Sequence, residues 1–114
     1  LLAAVCTPCA AHGATPWRPR CAMAPLKPGE LRGVVVPLVT PLRSDTAEDE
    51  VDAAGVRAVV DRVVAGGVAG VFVLGTTGEA PHLSHALRRA LVTEAAAAVA
   101  GRVHLLVGVS DTCA

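Results

Sequence analysis

From residue 31 onward the chain alternates short, wholly apolar runs with longer stretches in which apolar residues recur every three or four positions. Gly33-Val34-Val35-Val36-Pro37-Leu38-Val39-Thr40-Pro41 is one such run. It reads as a strand, and Pro37 within it predicts a bulge or an edge near the strand's end. Arg43-Ser44-Asp45 reads as a turn. Glu48, Asp49, Glu50 and Asp52 then crowd the predicted first turn of a helix, where carboxylates offset the positive end of the macrodipole. Val51, Val56, Val59, Val60 and Val63 supply that helix with a buried stripe, and Gly66-Gly67 ends it. A second strand runs from Gly70 to Leu74. A second helix starts at Ser84, a good N-cap, turns Leu87, Leu91, Ala95 and Ala98 inward, and stops at Gly101. Val103-His104-Leu105-Leu106-Val107 makes a third strand, followed by Gly108-Val109-Ser110-Asp111-Thr112. Strand, helix, strand, helix, strand of this spacing predicts a parallel sheet with right-handed crossovers. Three strands do not close a barrel of eight, which takes about 250 residues, so the pattern reads as the opening third of a larger α/β fold.

The second strand carries the chemistry. Val68-Ala69-Gly70-Val71-Phe72-Val73-Leu74-Gly75-Thr76-Thr77-Gly78-Glu79-Ala80 runs from a strand that is apolar on both faces into two hydroxyls between glycines, then a carboxylate. A strand apolar on both faces fits a parallel sheet covered by helices. In such sheets ligands bind beyond the carboxyl ends of the strands, where loops vary while the strands hold them rigid. Gly75 and Gly78 are expected to turn the backbone sharply and leave amides uncovered. With the hydroxyls of Thr76 and Thr77 they make a neutral, donor-rich cradle suited to a small anion such as a carboxylate.

Composition narrows the partners. Of 114 residues 53% are hydrophobic, with one Trp, one Phe and no Tyr, so the core is built of Val, Ala and Leu. Ten acidic side chains balance ten basic ones, and no basic stripe with interleaved aromatics suggests nucleic acid. The longest uncharged apolar run, Val63 to Leu74, falls short of the roughly 18 residues a membrane span needs. Residues 1–30 are expected to form a separate leader, disordered or non-native, and 31–114 the amino-terminal part of the folded domain. The leader holds Cys6, Cys9 and Cys21 and is broken by Pro8, Pro16, Pro19, Pro25 and Pro28. Residues 1–22, ahead of Met23, read either as upstream reading frame or as a transit peptide. Arg18, Arg20 and the missing acids favour the transit peptide and the missing serine opposes it. The expected compartment is accordingly the cytoplasm, or an organelle on the transit-peptide reading. Cys6-Thr7-Pro8-Cys9 with His12 matches neither a zinc site nor a redox pair, and Cys113 reads as a small buried hydrophobe.

Gly33 to Pro41 with its Val-Thr-Pro ending, followed one helix later by Gly70-Val71-Phe72-Val73-Leu74-Gly75-Thr76-Thr77-Gly78-Glu79, resembles the amino-terminal part of the dihydrodipicolinate synthase and N-acetylneuraminate lyase family. The resemblance covers residues 31–114. It implies a (β/α)8 TIM barrel whose lysine, on the sixth strand, forms a Schiff base with pyruvate or a related 2-keto acid, with no cofactor and no metal. It further implies a homo-oligomeric complete protein. Dihydrodipicolinate synthesis is the leading activity it implies, with N-acetylneuraminate cleavage and keto-deoxy sugar acid aldol or dehydration chemistry as alternatives. Carried over by position, Thr77 binds the keto-acid carboxylate through its hydroxyl and amide, and Thr76 relays a proton in a chain completed by tyrosines; Gly75 and Gly78 are the further substrate-binding candidates. Those tyrosines and the lysine are not in this chain, whose single lysine, Lys27, precedes the first strand. The segment alone is therefore expected to be inactive. Leu87 stands where the family usually has Glu or Gln. Ala80 and Arg88 replace a hydroxyl and a histidine of the family's lysine feedback site, to which His85 and Thr112 correspond, so lysine control is not expected.

Other readings compete. Thr76 and Thr77 as plain turn residues would leave a non-catalytic barrel fragment or keto-acid binding protein. A doubly wound nucleotide binder is opposed by Pro81 between the glycine loop and the Ser84 helix. Glu79 reads as a loop anchor accepting backbone amides rather than a general base. His82 and His85 lack a third metal ligand nearby and read as solvent-facing. Ser110 and Asp111 close the third strand on the same rim.

Overall fold

The computed structural model describes residues 29, 31–43 and 49–110. A three-stranded parallel sheet is made by β1 (Val35–Pro37), β4 (Gly70–Val73) and β5 (His104–Val107), with β4 in the centre. Val36 pairs with Val71 and Val71 with Leu105, so all three carboxyl ends reach the same rim. Helices α1 (Ala53–Ala65) and α2 (His85–Val99) follow β1 and β4 and lie side by side against the sheet. The expected strand, helix, strand, helix, strand order therefore holds. Its core is small side chains: Val60, Val71 and Ala95 are fully enclosed, joined by Val56, Val73, Leu91, Val99 and Leu105. Leu87, Leu91, Ala95 and Ala98 all lie in or against this core.

Pro37 is the last residue of β1, opposite Phe72, on the edge of the sheet, where a missing N–H is tolerated. The strand is shorter than the apolar run suggested. Val34 and Val39, at either end of it, are exposed.

The acidic run is not the first turn of a helix. Leu42–Arg43 (β2) and Glu50–Val51 (β3) form a short antiparallel ladder, with Leu42 opposite Val51. Glu50 faces out and Val51 in, a two-residue alternation that suits a strand. Val51 thus reaches the core from β3, not from the helical stripe. Arg43 likewise belongs to β2 rather than to a turn; Ser44, Asp45 and Glu48 lie outside the described residues.

Asp52 alone serves the helix, as its N-cap: Ala54 N donates to its Oδ1 at 3.1 Å, and no acid occupies the first turn. The substitution Asp52→Ala is expected to cost about 1 kcal/mol while Asp52→Asn costs a few tenths, because asparagine keeps the acceptor. Chemical denaturation of the full-length protein checks this.

Both helices end as predicted at glycine-containing turns. Gly66 caps α1 and Gly67 follows at φ +76°, while Ala100 and Gly101 both adopt left-handed backbone after α2. Ser84 caps α2, with Leu87 N donating to its Oγ at 3.3 Å. Leu87 is the third residue of that helix. It gives up the return half of a capping box and instead rests its side chain against the core.

Candidate active site

β4 delivers the chain to the rim, and its next residue, Leu74, turns into the left-handed region at φ 57°. Gly75 O then accepts from Gly78 N at 3.1 Å and from Ala80 N at 3.4 Å, and Thr76 O from Glu79 N at 3.0 Å. These bonds close residues 75–80 into a compact loop that runs into a 3₁₀ helix, Ala80–His82. Thr76 and Thr77 sit at its tip, both exposed. Among the described residues neither hydroxyl has a hydrogen-bond partner, and neither do the two amides. Four donors thus remain on the rim side of a closed loop, the arrangement a small anion requires.

The glycines act differently from expectation. The left-handed positions are Leu74 and Glu79 (φ 52°), and neither Gly75 nor Gly78 has positive φ. What these glycines supply is room. A Cβ on Gly75 would lie 2.6 Å from the Phe72 ring, and one on Gly78 would lie 3.1 Å from Leu38 O and 3.3 Å from Thr40 Oγ1. Gly78 is where the segment after β1 touches the loop. Thr40 Oγ1 donates to Gly78 O at 2.8 Å, tying two strand ends together. Left-handed backbone at a residue other than glycine costs about 1–3 kcal/mol and persists only where the surroundings over-determine it, which these ties do.

Glu79 is corrected as well. Its carboxylate is exposed and makes no cap hydrogen bond, so it accepts no backbone amide here. Its contribution is its backbone, whose carbonyl accepts from His82 N at 2.9 Å.

Beside the loop lies a crevice of about 180 Å³, lined in part by Gly75, Thr76, Ala80, Arg88, Gly108 and Ser110. It joins the end of β4 to the end of β5. Thr76 is among its lining residues and Thr77 is not. Arg88 was read from sequence only as a replacement. In the structure it reaches back from α2, its Nε donating to Ala80 O at 3.1 Å and Leu83 O at 3.0 Å. A cation near a helix N-terminus runs against the macrodipole, and that was the available signal. Thr40 was also missed, hidden as the end of an apolar run.

His82 and His85 are exposed, and among the described residues no group of three His, Cys, Asp or Glu side chains is placed to hold a metal. Ser110 reaches the crevice. Asp111, Thr112, Cys113, Lys27 and the cysteine-rich leader lie outside the described residues. No described helix is long and apolar enough to cross a membrane.

A parallel sheet with its donor loop at the carboxyl rim defines an α/β type of site, in which ligands bind beyond the strand ends. The dihydrodipicolinate synthetase family model matches residues 30–112. The chain is 46% identical over 77 residues to the 4-hydroxy-tetrahydrodipicolinate synthase of Salinibacter ruber, covering 68% of this chain and 24% of that protein. It is 42% identical over 79 residues to the synthase of the same name from Porphyromonas gingivalis, covering 69% and 26%. Among solved structures, N-acetylneuraminate lyase from Mycoplasma synoviae superposes with a TM-score of 0.64 at 31% identity, over 74% of this chain and 28% of that one. A dihydrodipicolinate synthase superposes at 0.63 and 31% identity, over 72% and 27%. The chain belongs to the dihydrodipicolinate synthetase family of aldolase-type lyases, and its sheet and helices are part of a (β/α)8 barrel. It spans about a quarter of the length of the curated relatives it matches.

Proposed function

We propose that this chain supplies the carboxylate-binding corner of a Schiff-base lyase that acts on pyruvate or a related 2-keto acid, in the manner of 4-hydroxy-tetrahydrodipicolinate synthase. The observation that carries the reading is the closed 75–80 loop with the amides and hydroxyls of Thr76 and Thr77 left unbonded at the rim. The identity to two synthases of that name supports the choice of reaction.

In this reading Thr77 holds the substrate carboxylate with its hydroxyl and amide, and so fixes where the keto carbon lies. A lysine amine from elsewhere in the barrel attacks that carbon; the described residues contain neither lysine nor tyrosine. Thr76, on the crevice, passes a proton between groups that the rest of the barrel contributes. Crowding at Gly75 and Gly78 keeps the loop in register with β4 while both hydroxyls stay accessible.

Borohydride reduction of the full-length protein with pyruvate tests the reading. A single lysine should gain a 1-carboxyethyl group, pyruvate's keto oxygen leaving as water and hydride reducing the imine, and Lys27 should stay unmodified. No adduct, or an adduct on Lys27, overturns it. Thr76→Val should lower kcat by about 10²-fold or more, the usual contribution of a positioned proton-transfer group, with pyruvate affinity changed by less than about threefold. Steady-state kinetics beside direct pyruvate binding separates the two.

A further inference from the structure

We propose that Arg88 is the positioning residue of the threonine loop, acting through its Nε on the carbonyls of Ala80, which opens the 3₁₀ helix, and Leu83, which follows it. The proposal rests on the carboxylate-binding role of Thr77 given above. It concerns a residue whose Nε bonds backbone carbonyls.

The peptide links involved form one continuous path. Side chains on a helix lean toward its N-terminus, so an arginine on the first turn of α2 lies over the segment that precedes the helix. Arg88 lies there. Its backbone is fixed, with Arg88 N donating to the Ser84 carbonyl at 2.9 Å, and the first turn is capped by the Ser84 hydroxyl. From that base Nε bridges Ala80 O and Leu83 O. Ala80 O also accepts from Leu83 N at 3.1 Å, so losing Nε weakens that tie without emptying it, whereas the carbonyl of buried Leu83 would lose its bond from Arg88 at a desolvation cost. Ala80 is the far post of the loop, because its own N–H bonds to Gly75 O and so brackets Thr76 and Thr77. The two peptide groups that meet at Ala80 are therefore held, the preceding one by the loop and the following one by Arg88.

Gly78, two residues before Ala80, is tied separately, by Thr40 Oγ1 on its carbonyl. Between the two ties stands left-handed Glu79, a conformation that relaxes when restraint is lost. Release of Ala80 lets the Glu79 peptide leave that region, and the Thr76 and Thr77 donors move with it. Displacement of a binding group by about an ångström is enough to lose much of its contribution.

Chain position, not charge, is what this account requires, and two variants separate them. In Arg88→Gln the amide nitrogen falls where Nε was, with two N–H groups for two carbonyls but no charge. In Arg88→Lys a methylene falls there, and the charge is kept one atom further out. The full-length protein is the material, pyruvate the probe, and the dissociation constant and the kcat against KM split the readouts.

Arg88→Lys should raise the pyruvate dissociation constant about tenfold and KM with it, while kcat changes by less than about threefold. Arg88→Gln should bind pyruvate within about threefold of the parent. A general loss of fold would lower the melting temperature and the active fraction without changing the affinity of what remains folded. Should lysine restore binding and glutamine fail, or both bind as the parent does, the positioning role is wrong. Thr77→Val, run alongside, keeps the two readings apart. Weak binding in Thr77→Val with normal binding in both Arg88 variants sinks this inference alone, whereas normal binding in Thr77→Val removes the carboxylate role on which it rests.

Discussion

Thr77→Val in the full-length protein is expected to raise the dissociation constant for pyruvate ten- to a hundredfold. Valine keeps the β-branched shape and removes the hydroxyl donor, so the loop is preserved and one bond to the carboxylate is lost. A hydrogen bond to a charged group contributes about 1.5–3 kcal/mol, and about 1.4 kcal/mol corresponds to each tenfold step in affinity. The Thr77 amide still donates, which keeps the loss finite. No packing penalty enters, because Thr77 is exposed and has no hydrogen-bond partner among the described residues. Isothermal titration with pyruvate, beside a thermal melt, measures the two quantities separately. An unchanged affinity would leave Thr77 as a turn residue and remove the case for this rim as a keto-acid site. The contrast with Thr76→Val is part of the expectation. With Thr76 as proton relay and Thr77 as carboxylate donor, one substitution should act on turnover and the other on affinity.

What made the site legible in sequence was the change of period at residue 75. Uninterrupted Val and Phe stop, two hydroxyls appear between glycines, and a helix start follows at Ser84; each step has a local cause that survives in the structure. The helix caps were legible for the same reason, since Ser84, Gly66-Gly67 and Gly101 act on their immediate neighbours. The failures share a different origin. Asp49, Glu50 and Val51 satisfy both a helical and an extended pattern over so short a stretch, and pairing with Leu42–Arg43 decides between them. Propensity assigns left-handed backbone to glycine, yet Leu74 and Glu79 carry it because Gly75 and Gly78 are needed where Phe72, Leu38 and Thr40 come too close for a side chain. Arg88 and Thr40 act across chain separations of 5 and 38 residues, on carbonyls that no local pattern marks.

The same crowding predicts the largest loss of stability, at Gly108. Its N–H donates to Val73 O at 2.9 Å, carrying the β4–β5 ladder one residue past β5. A Cβ there would stand 2.2 Å from Leu74 O and 2.9 Å from Leu74 C. Both are backbone atoms, so no side-chain rotation relieves the contact. With Leu74 turned left-handed its carbonyl lies over β5, and glycine at 108 is the condition for that turn. In Gly108→Ala either the ends of β4 and β5 part or Leu74 abandons its conformation, and both outcomes move the threonine loop. Overpacking costs about 1–3 kcal/mol, and a rigid contact this short belongs at the top of that range. At about 2–4 °C per kcal/mol for a large domain, the melting temperature of the full-length protein should fall by about 6–12 °C. Pyruvate affinity should fall with it in the fraction that remains folded. Gly67→Ala is the matched control, since Gly67 is left-handed at φ +76° but a Cβ there would meet nothing within 4 Å. That variant should cost only the backbone preference, about 1 kcal/mol, and leave pyruvate binding unchanged. Equal melting temperatures in the two variants would mean that the Leu74 turn does not depend on its contact with β5, and that the loop is held by Thr40 and Arg88 alone.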